Sequence, residues 1–310
     1  MNKIKHILAF LLFISMMNGS QAQQDPMYSM YMFDKMIINP AFTGSSDWMV
    51  GTIKHRSQFV GMAGNPTTQT LNFHTPITKR HVGLGVKIIN DKIAIMSNLN
   101  ASLVYSYHLN VAGGKMSVGL ETGFYSRKTA YNELTLSTLN DNAIPMEGVR
   151  SMVPDVGWGM YYQKKQFYIG LSQSHLLKMK FKDNLENSDS RLASHLYLLA
   201  GTVFDFSKKI SLEPSFLLKH QGASPVQLDL NAMLYYNDKI GFGLQYRTGD
   251  AFVLMAKITV TDGLRIGYAF DTTLSGLSTY SGGAHELVVS YGIKLPPPPT
   301  EKEIHPRYYF

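Results

Sequence analysis

Between residues 99 and 111, apolar and polar side chains alternate at nearly every step. Leu99, Ala101, Leu103, Tyr105, Tyr107, Leu109 and Val111 take the odd positions, Asn100, Ser102, Ser106, His108 and Asn110 the even ones, and Val104 breaks the rule. A period of two belongs to a strand with two unlike faces. Met116, Val118, Leu120 and Phe124 alternate in the same way with Ser117, Gly119, Glu121 and Gly123, as do Val226, Leu228, Leu230, Ala232 and Leu234 with Gln227, Asp229 and Asn231. Further strands are predicted at 48–56, 67–75, 81–89, 154–163, 167–174, 195–206, 210–220, 240–247, 252–260, 264–272 and 285–294, about fourteen in all.

The connections sort by parity. Those after even-numbered strands are short (76–80, 112–114, 164–165, 207–209, 237–239, 261–263), whereas several after odd-numbered strands are long (58–65, 128–153, 177–194, 273–283). An even strand count with short turns on one side and long loops on the other predicts a transmembrane antiparallel β-barrel over 48–295, with both termini in the periplasm. A soluble sandwich also alternates, but nothing ties its loop lengths to strand parity. Leu103, Tyr105, Leu120, Leu228, Leu230, Ile266 and Leu287 are then expected to face lipid. Trp48, Tyr107, Tyr125, Tyr161, Tyr235 and Tyr246, read as outward aromatics near strand ends, fit either interfacial girdles or ordinary sheet packing. Gly83, Gly85, Gly119, Gly123, Gly157, Gly159, Gly241, Gly243, Gly267 and Gly292 fall mostly on the other face, where they are expected to relieve crowding in a strongly bent wall. Glu121, Arg127, Asp155, Asp229, Arg247, Arg265 and Asp271 avoid lipid by facing the lumen or a rim.

Composition supports this picture. The chain is 45% hydrophobic and only 16% charged, against roughly 25% charged for an average soluble domain. Beyond the N-terminus no apolar run approaches the roughly 18 residues of a spanning helix. With no cysteine, disulfides, thiolate metal sites and thiol nucleophiles are excluded. Lys3 and Lys5, an apolar stretch at 7–17 and the ending Ser20-Gln21-Ala22 mark residues 1–22 as a secretory signal peptide, whose removal takes the net charge from +7 to +5. That excess forms no dense basic stripe, so no nucleic-acid partner is expected.

Residues 23–47 do not alternate, and they are too apolar to float free. They are read either as a strap or plug packed on or in the barrel, or as a docking peptide offering Asp25, Pro26, Tyr31, Asn39 and Pro40 to a partner. The proline run at 296–299 is a stiff spacer that carries Arg307, Tyr308, Tyr309 and Phe310 toward a periplasmic contact.

Catalytic signals are sparse. The ten histidines form no close metal pair, although His55 and His74 could face each other on neighbouring strands as polar groups in a wet interior. Nucleophile-elbow and phosphate-loop motifs are missing, and only a triad assembled from separate strands, with Asp229, Asp271 and His285 as members, is left open. No catalytic, cofactor or metal residue is assigned.

Several short motifs taken together resemble the PorP/SprF family of the type IX secretion and gliding apparatus of Bacteroidetes. They include Gln24-Asp25-Pro26-Met27-Tyr28, Ile38-Asn39-Pro40-Ala41-Phe42-Thr43-Gly44, Thr68-Gln69-Thr70, Val82-Gly83-Leu84-Gly85, Pro154-Asp155-Val156-Gly157, Gln227-Leu228-Asp229-Leu230-Asn231-Ala232 and Gly283-Ala284-His285-Glu286. Ala284 stands where most members carry Thr. The resemblance implies a non-catalytic outer-membrane barrel that helps secrete or anchor a large surface protein bearing a secretion C-terminal domain, in contact with periplasmic ring components. A passive channel for small solutes is the alternative.

Overall fold

The computed structural model describes residues 25–77, 81–133, 148–181, 190–222, 224–276 and 278–296. Its strands are β1 (Trp48–Ser57), β2 (Thr67–Ile77), β3 (Val82–Ile93), β4 (Met96–Val111), β5 (Gly114–Thr129), β6 (Val149–Lys164), β7 (Phe167–Ser174), β8 (His195–Thr202), β9 (Phe204–Asp205), β10 (Ile210–His220), β11 (Gln227–Tyr236), β12 (Ile240–Arg247), β13 (Ala251–Thr259), β14 (Leu264–Thr273) and β15 (Ala284–Lys294). The two-residue β9 continues the line of β8 along β10. Sequential antiparallel pairing runs around the sheet, and β1 closes it on β15 from Trp48↔Lys294 to Ser57↔His285. The result is a closed antiparallel barrel of fourteen staves.

Burial is inverted relative to a soluble protein. On β4, Asn98, Asn100, Ser102, Ser106 and His108 are buried, whereas Leu103, Tyr105, Tyr107 and Leu109 stand exposed. Val104, the exception in the alternation, is the one apolar side chain among these inward positions. The outer wall is an apolar band that includes Leu120, Leu230, Phe242, Leu244, Leu254 and Leu287. Such a surface is stable only when lipid covers it. Leu103 is 65% exposed midway along the sixteen-residue β4. Leu103→Arg should therefore cost about 2–4 kcal/mol, seen as a lower denaturant midpoint for the vesicle-folded protein, and Leu103→Ala should cost far less.

The strand ends that flank the long connections 58–66, 130–148, 175–194 and 274–283 share one end of the barrel; the tight connections at 94–95 and 248–250 lie at the same end. Residues 25–47 run through the lumen. Asp25 lies among His175, His195 and Ser174 at the long-loop end, while Asp47 accepts a hydrogen bond from Leu295 N at the short-turn end. The described chain thus begins and ends at opposite mouths. The segment crosses the barrel before β1 starts; the expectation that both termini lie in the periplasm falls on residues 1–24 and 297–310, outside the described residues.

Several aromatic expectations are corrected. Tyr107 and Tyr246 face outward, but Tyr125, Tyr161 and Tyr235 face the lumen. Tyr161 packs edge-on against Phe42, Tyr125 against His175, and Tyr235 reaches Glu213. Each shares parity with inward neighbours, so the barrel interior claims them. His55 and His74 do not face each other: they pair with Gln69 and Val50 and point to opposite sides of the wall.

Candidate functional site

The candidate site is the filled lumen. Residues 25–47 carry too little regular structure to satisfy their own backbone, forming only single 3-10 turns at Tyr31–Phe33, Lys35–Ile37 and Pro40–Phe42. The remaining groups must bond to the wall, since a buried unpaired backbone group costs about as much as a lost hydrogen bond. Asn39 provides the central joint. Its Oδ1 accepts from Ala41 N at 2.9 Å, capping the last turn, while its Nδ2 donates to Met160 O at 3.0 Å. Ser172 Oγ donates to Ile38 O at 2.6 Å, and Ser106 Oγ to Thr43 O at 2.5 Å.

Glycine makes this docking possible. A Cβ at Gly159 would fall 2.1 Å from Asn39 Oδ1, one at Gly119 2.3 Å from Ala41 N, and one at Gly83 2.1 Å from Thr43 O. Inward glycines thus leave space for a second layer of chain, beyond relieving the bend of the wall. Gly159→Val should push the 39–43 turn off the wall, measured as faster proteolysis within residues 25–47 of the folded barrel. Unchanged protection would contradict this packing.

Ionic contacts fasten the segment at successive depths. At the long-loop mouth, His175 bridges two carboxylates, with Nδ1 2.8 Å from Asp155 Oδ2 and Nε2 2.9 Å from Asp25 Oδ1. Tyr197 OH donates to Asp25 Oδ2 and Lys219 Nζ to Asp25 O, each at 3.3 Å. Burial alone would depress the His175 pKa, but Asp25 and Asp155 outweigh it and hold the value up at about 10. Burial likewise opposes ionisation of Asp25, yet His175, His195 and Lys219 keep its carboxyl well below the usual range.

Just below lies a denser network. Ser29 Oγ sits 2.7 Å from Asp271 Oδ2, and the backbone N–H groups of Ser29 and Met30 donate to Glu286 at 2.8 and 3.0 Å. Arg56 reaches Asp271 at 2.7 Å and Glu286 at 3.2 Å; Arg247 reaches Asp229, Asp250 and Asp271 at 3.1–3.2 Å. Deeper, Lys54 faces Asp34 at 3.5 Å, and Asn72 bonds to Asp34. At the short-turn mouth Ser45 O accepts from Lys115 and Gln163.

Of the residues singled out in the sequence, Asp25, Pro26, Tyr31, Asn39 and Pro40 come together inside the barrel. Tyr31 bonds to Asn231, and Pro40 packs over Gly119. Arg307, Tyr308, Tyr309 and Phe310 lie outside the described residues, as do residues 1–24. Asp229 and Asp271 line the lumen, but His285 stands on the outward side of β15, bonded to Tyr268 OH at 2.6 Å, so these three do not meet. The sequence reading missed Ser29, Arg56, His175 and Glu286. Arg56 and Glu286 are direct partners across β1 and β15, a signal available once the first and last strands are paired.

The sequence profile of the family described as type IX secretion system membrane protein PorP/SprF matches residues 20–291. This chain belongs to that family. The PorP/SprF match spans the lumen segment and nearly all of the barrel, and assigns the chain an outer-membrane role in type IX secretion. No curated protein sequence matches this PorP/SprF chain. Among solved structures it is similar to the Acinetobacter baumannii outer membrane protein Omp33, at 7% identity over 81% of this chain and 100% of that one, TM-score 0.47. The Pseudomonas putida toluene transporter TodX matches at 8% identity over 89% and 96%, TM-score 0.46. A Pseudomonas aeruginosa FadL homologue matches at 12% over 82% and 91%, TM-score 0.44.

Proposed function

We propose that this PorP/SprF barrel is a non-catalytic, closed outer-membrane station that supports secretion or surface anchoring of a protein bearing a secretion C-terminal domain. The observation that carries this reading is the occupied lumen. Residues 25–47 are fixed across the bore by the buried pairs Lys54–Asp34 and His175–Asp25 and by hydrogen bonds from Ser29 and Met30 to Asp271 and Glu286; this filling obstructs an open conduit, whereas a scaffold gains a rigid wall. In this reading the short-turn end faces the periplasm, and the proline spacer would carry Arg307, Tyr308, Tyr309 and Phe310 to the periplasmic ring components, Arg and Tyr being residue types favoured at interface hot spots. Asp25 and Pro26 then lie at the outer mouth, within reach of cargo entering between the long loops.

Affinity purification of the full chain from native membranes, through a tag inserted within residues 182–189, is expected to recover the surface protein and ring components. Deleting residues 301–310 should leave a heat-modifiable barrel and lose the ring components. Recovery of no secretion partner, with solute conductance by the full chain, would replace this reading with the channel alternative.

A further inference from the structure

We propose that Asp25, His175 and His195 form a divalent transition-metal site, matched best by Zn2+, that ties the start of the lumen segment to the long-loop ends of β7 and β8. Each residue offers one ligand atom, and the three atoms lie within 4.8 Å of one another. His175 Nε2 is 2.9 Å from Asp25 Oδ1, and His195 Nδ1 is 3.2 Å from Asp25 Oδ2. Ligand atoms around tetrahedral zinc, bound at about 2.0–2.2 Å, stand roughly 3.3 Å apart; the two carboxylate–imidazole separations are already close to that spacing, and the two imidazole nitrogens, within 4.8 Å of each other, complete the set by turning toward a shared ion. Two imidazoles with one carboxylate favour zinc and its neighbours over magnesium or calcium, which prefer all-oxygen shells.

Two further observations point the same way. The far nitrogen of His175 is held by Asp155 at 2.8 Å, the carboxylate–histidine arrangement that orients metal-bound imidazoles; Asp155 Oδ1 is buried with no hydrogen-bond partner among the described residues. Asp25, His175 and Tyr197 also border a cavity, which leaves room for a water in the fourth position. Two carboxylates, Asp25 and Asp155, offset the repulsion from Lys219, whose Nζ is 3.3 Å from Asp25 O. On binding, the ion takes the lone pair freed when His175 Nε2 releases its shared proton to solvent. His195 gives up its bonds to Ala193 O and Asp25 N and shifts its ring proton to Nε2. The fastened residue 25 then holds the lumen segment in place from the long-loop mouth.

The test is a Co2+ titration of the chelator-stripped full chain in detergent, followed by Zn2+ competition. One Co2+ per chain is expected, with the visible absorption of a four-coordinate site, displaced by Zn2+. Asp155→Asn, a positioning change, should weaken binding about 10- to 100-fold. The His175→Gln/His195→Gln double variant should lose the absorption; Asp25→Asn, which leaves the wall intact, should lose it as well. Absence of the absorption in the folded full chain, or its persistence at full strength in Asp25→Asn or the double variant, would overturn the site.

Discussion

Deleting residues 25–43 should turn a silent barrel into a conducting one. Planar-bilayer recordings of the full chain are expected to stay near baseline, whereas the deleted form should give discrete steps. The wall itself survives the change: its lumen face carries Asn, Ser, Thr, Lys, Arg, Asp and Glu side chains that water can solvate once the segment is gone. The ladder from β1 to β15 is untouched, because β1 starts at Trp48. A heat-dependent shift on SDS gels confirms that the deleted barrel is folded. A folded, deleted barrel that still does not conduct would mean that something other than residues 25–43 closes the bore.

Removing one carboxylate from the buried network should produce the largest loss of stability. Glu286 is fully buried and accepts from Ser29 N, Met30 N and Arg56 Nη1. Glu286→Leu leaves the buried Arg56 short of a partner and two amide hydrogens without acceptors, which together should cost about 3–5 kcal/mol. The double variant Arg56→Met/Glu286→Leu should fall less, because it removes the stranded charge and leaves Asp271 paired with Arg247 at 3.1 Å. Urea unfolding of vesicle-folded protein measures both. A single variant within 1 kcal/mol of the full chain, or a double variant below the single, would show that the network is not coupled as described.

Much of the barrel was legible in the sequence because a strand records its two environments in alternate residues. Leu103 and Ser102 differ since one meets lipid and the other the lumen, and that contrast needs no knowledge of the partner strand. Loop parity added the even stave count and the two unlike ends. The site was less legible because its contacts are distant in sequence: Asn39 bonds to Met160, and Ser29 to Asp271. Alternation says that Gly159 faces inward, but it cannot say that a second layer of chain presses there. Tyr161 illustrates the same limit. Its parity with Gly157 and Gly159 turns it inward, but that it packs there against Phe42 of the lumen segment is not written in the alternation. His175 carries no signal at all in the strand pattern, since it stands just beyond β7 and acquires its role only when Asp25 and Asp155 close on it.

If this barrel serves secretion and does not pass solutes, as proposed, the amount of protein bearing a secretion C-terminal domain that reaches the cell surface should depend on this chain, and uptake of small solutes should not. Both are measured in cells with and without the chain. Loss of the chain is expected to strand or release at least one such protein while uptake is unchanged. Normal surface delivery of every such protein, together with reduced uptake, would contradict the proposal.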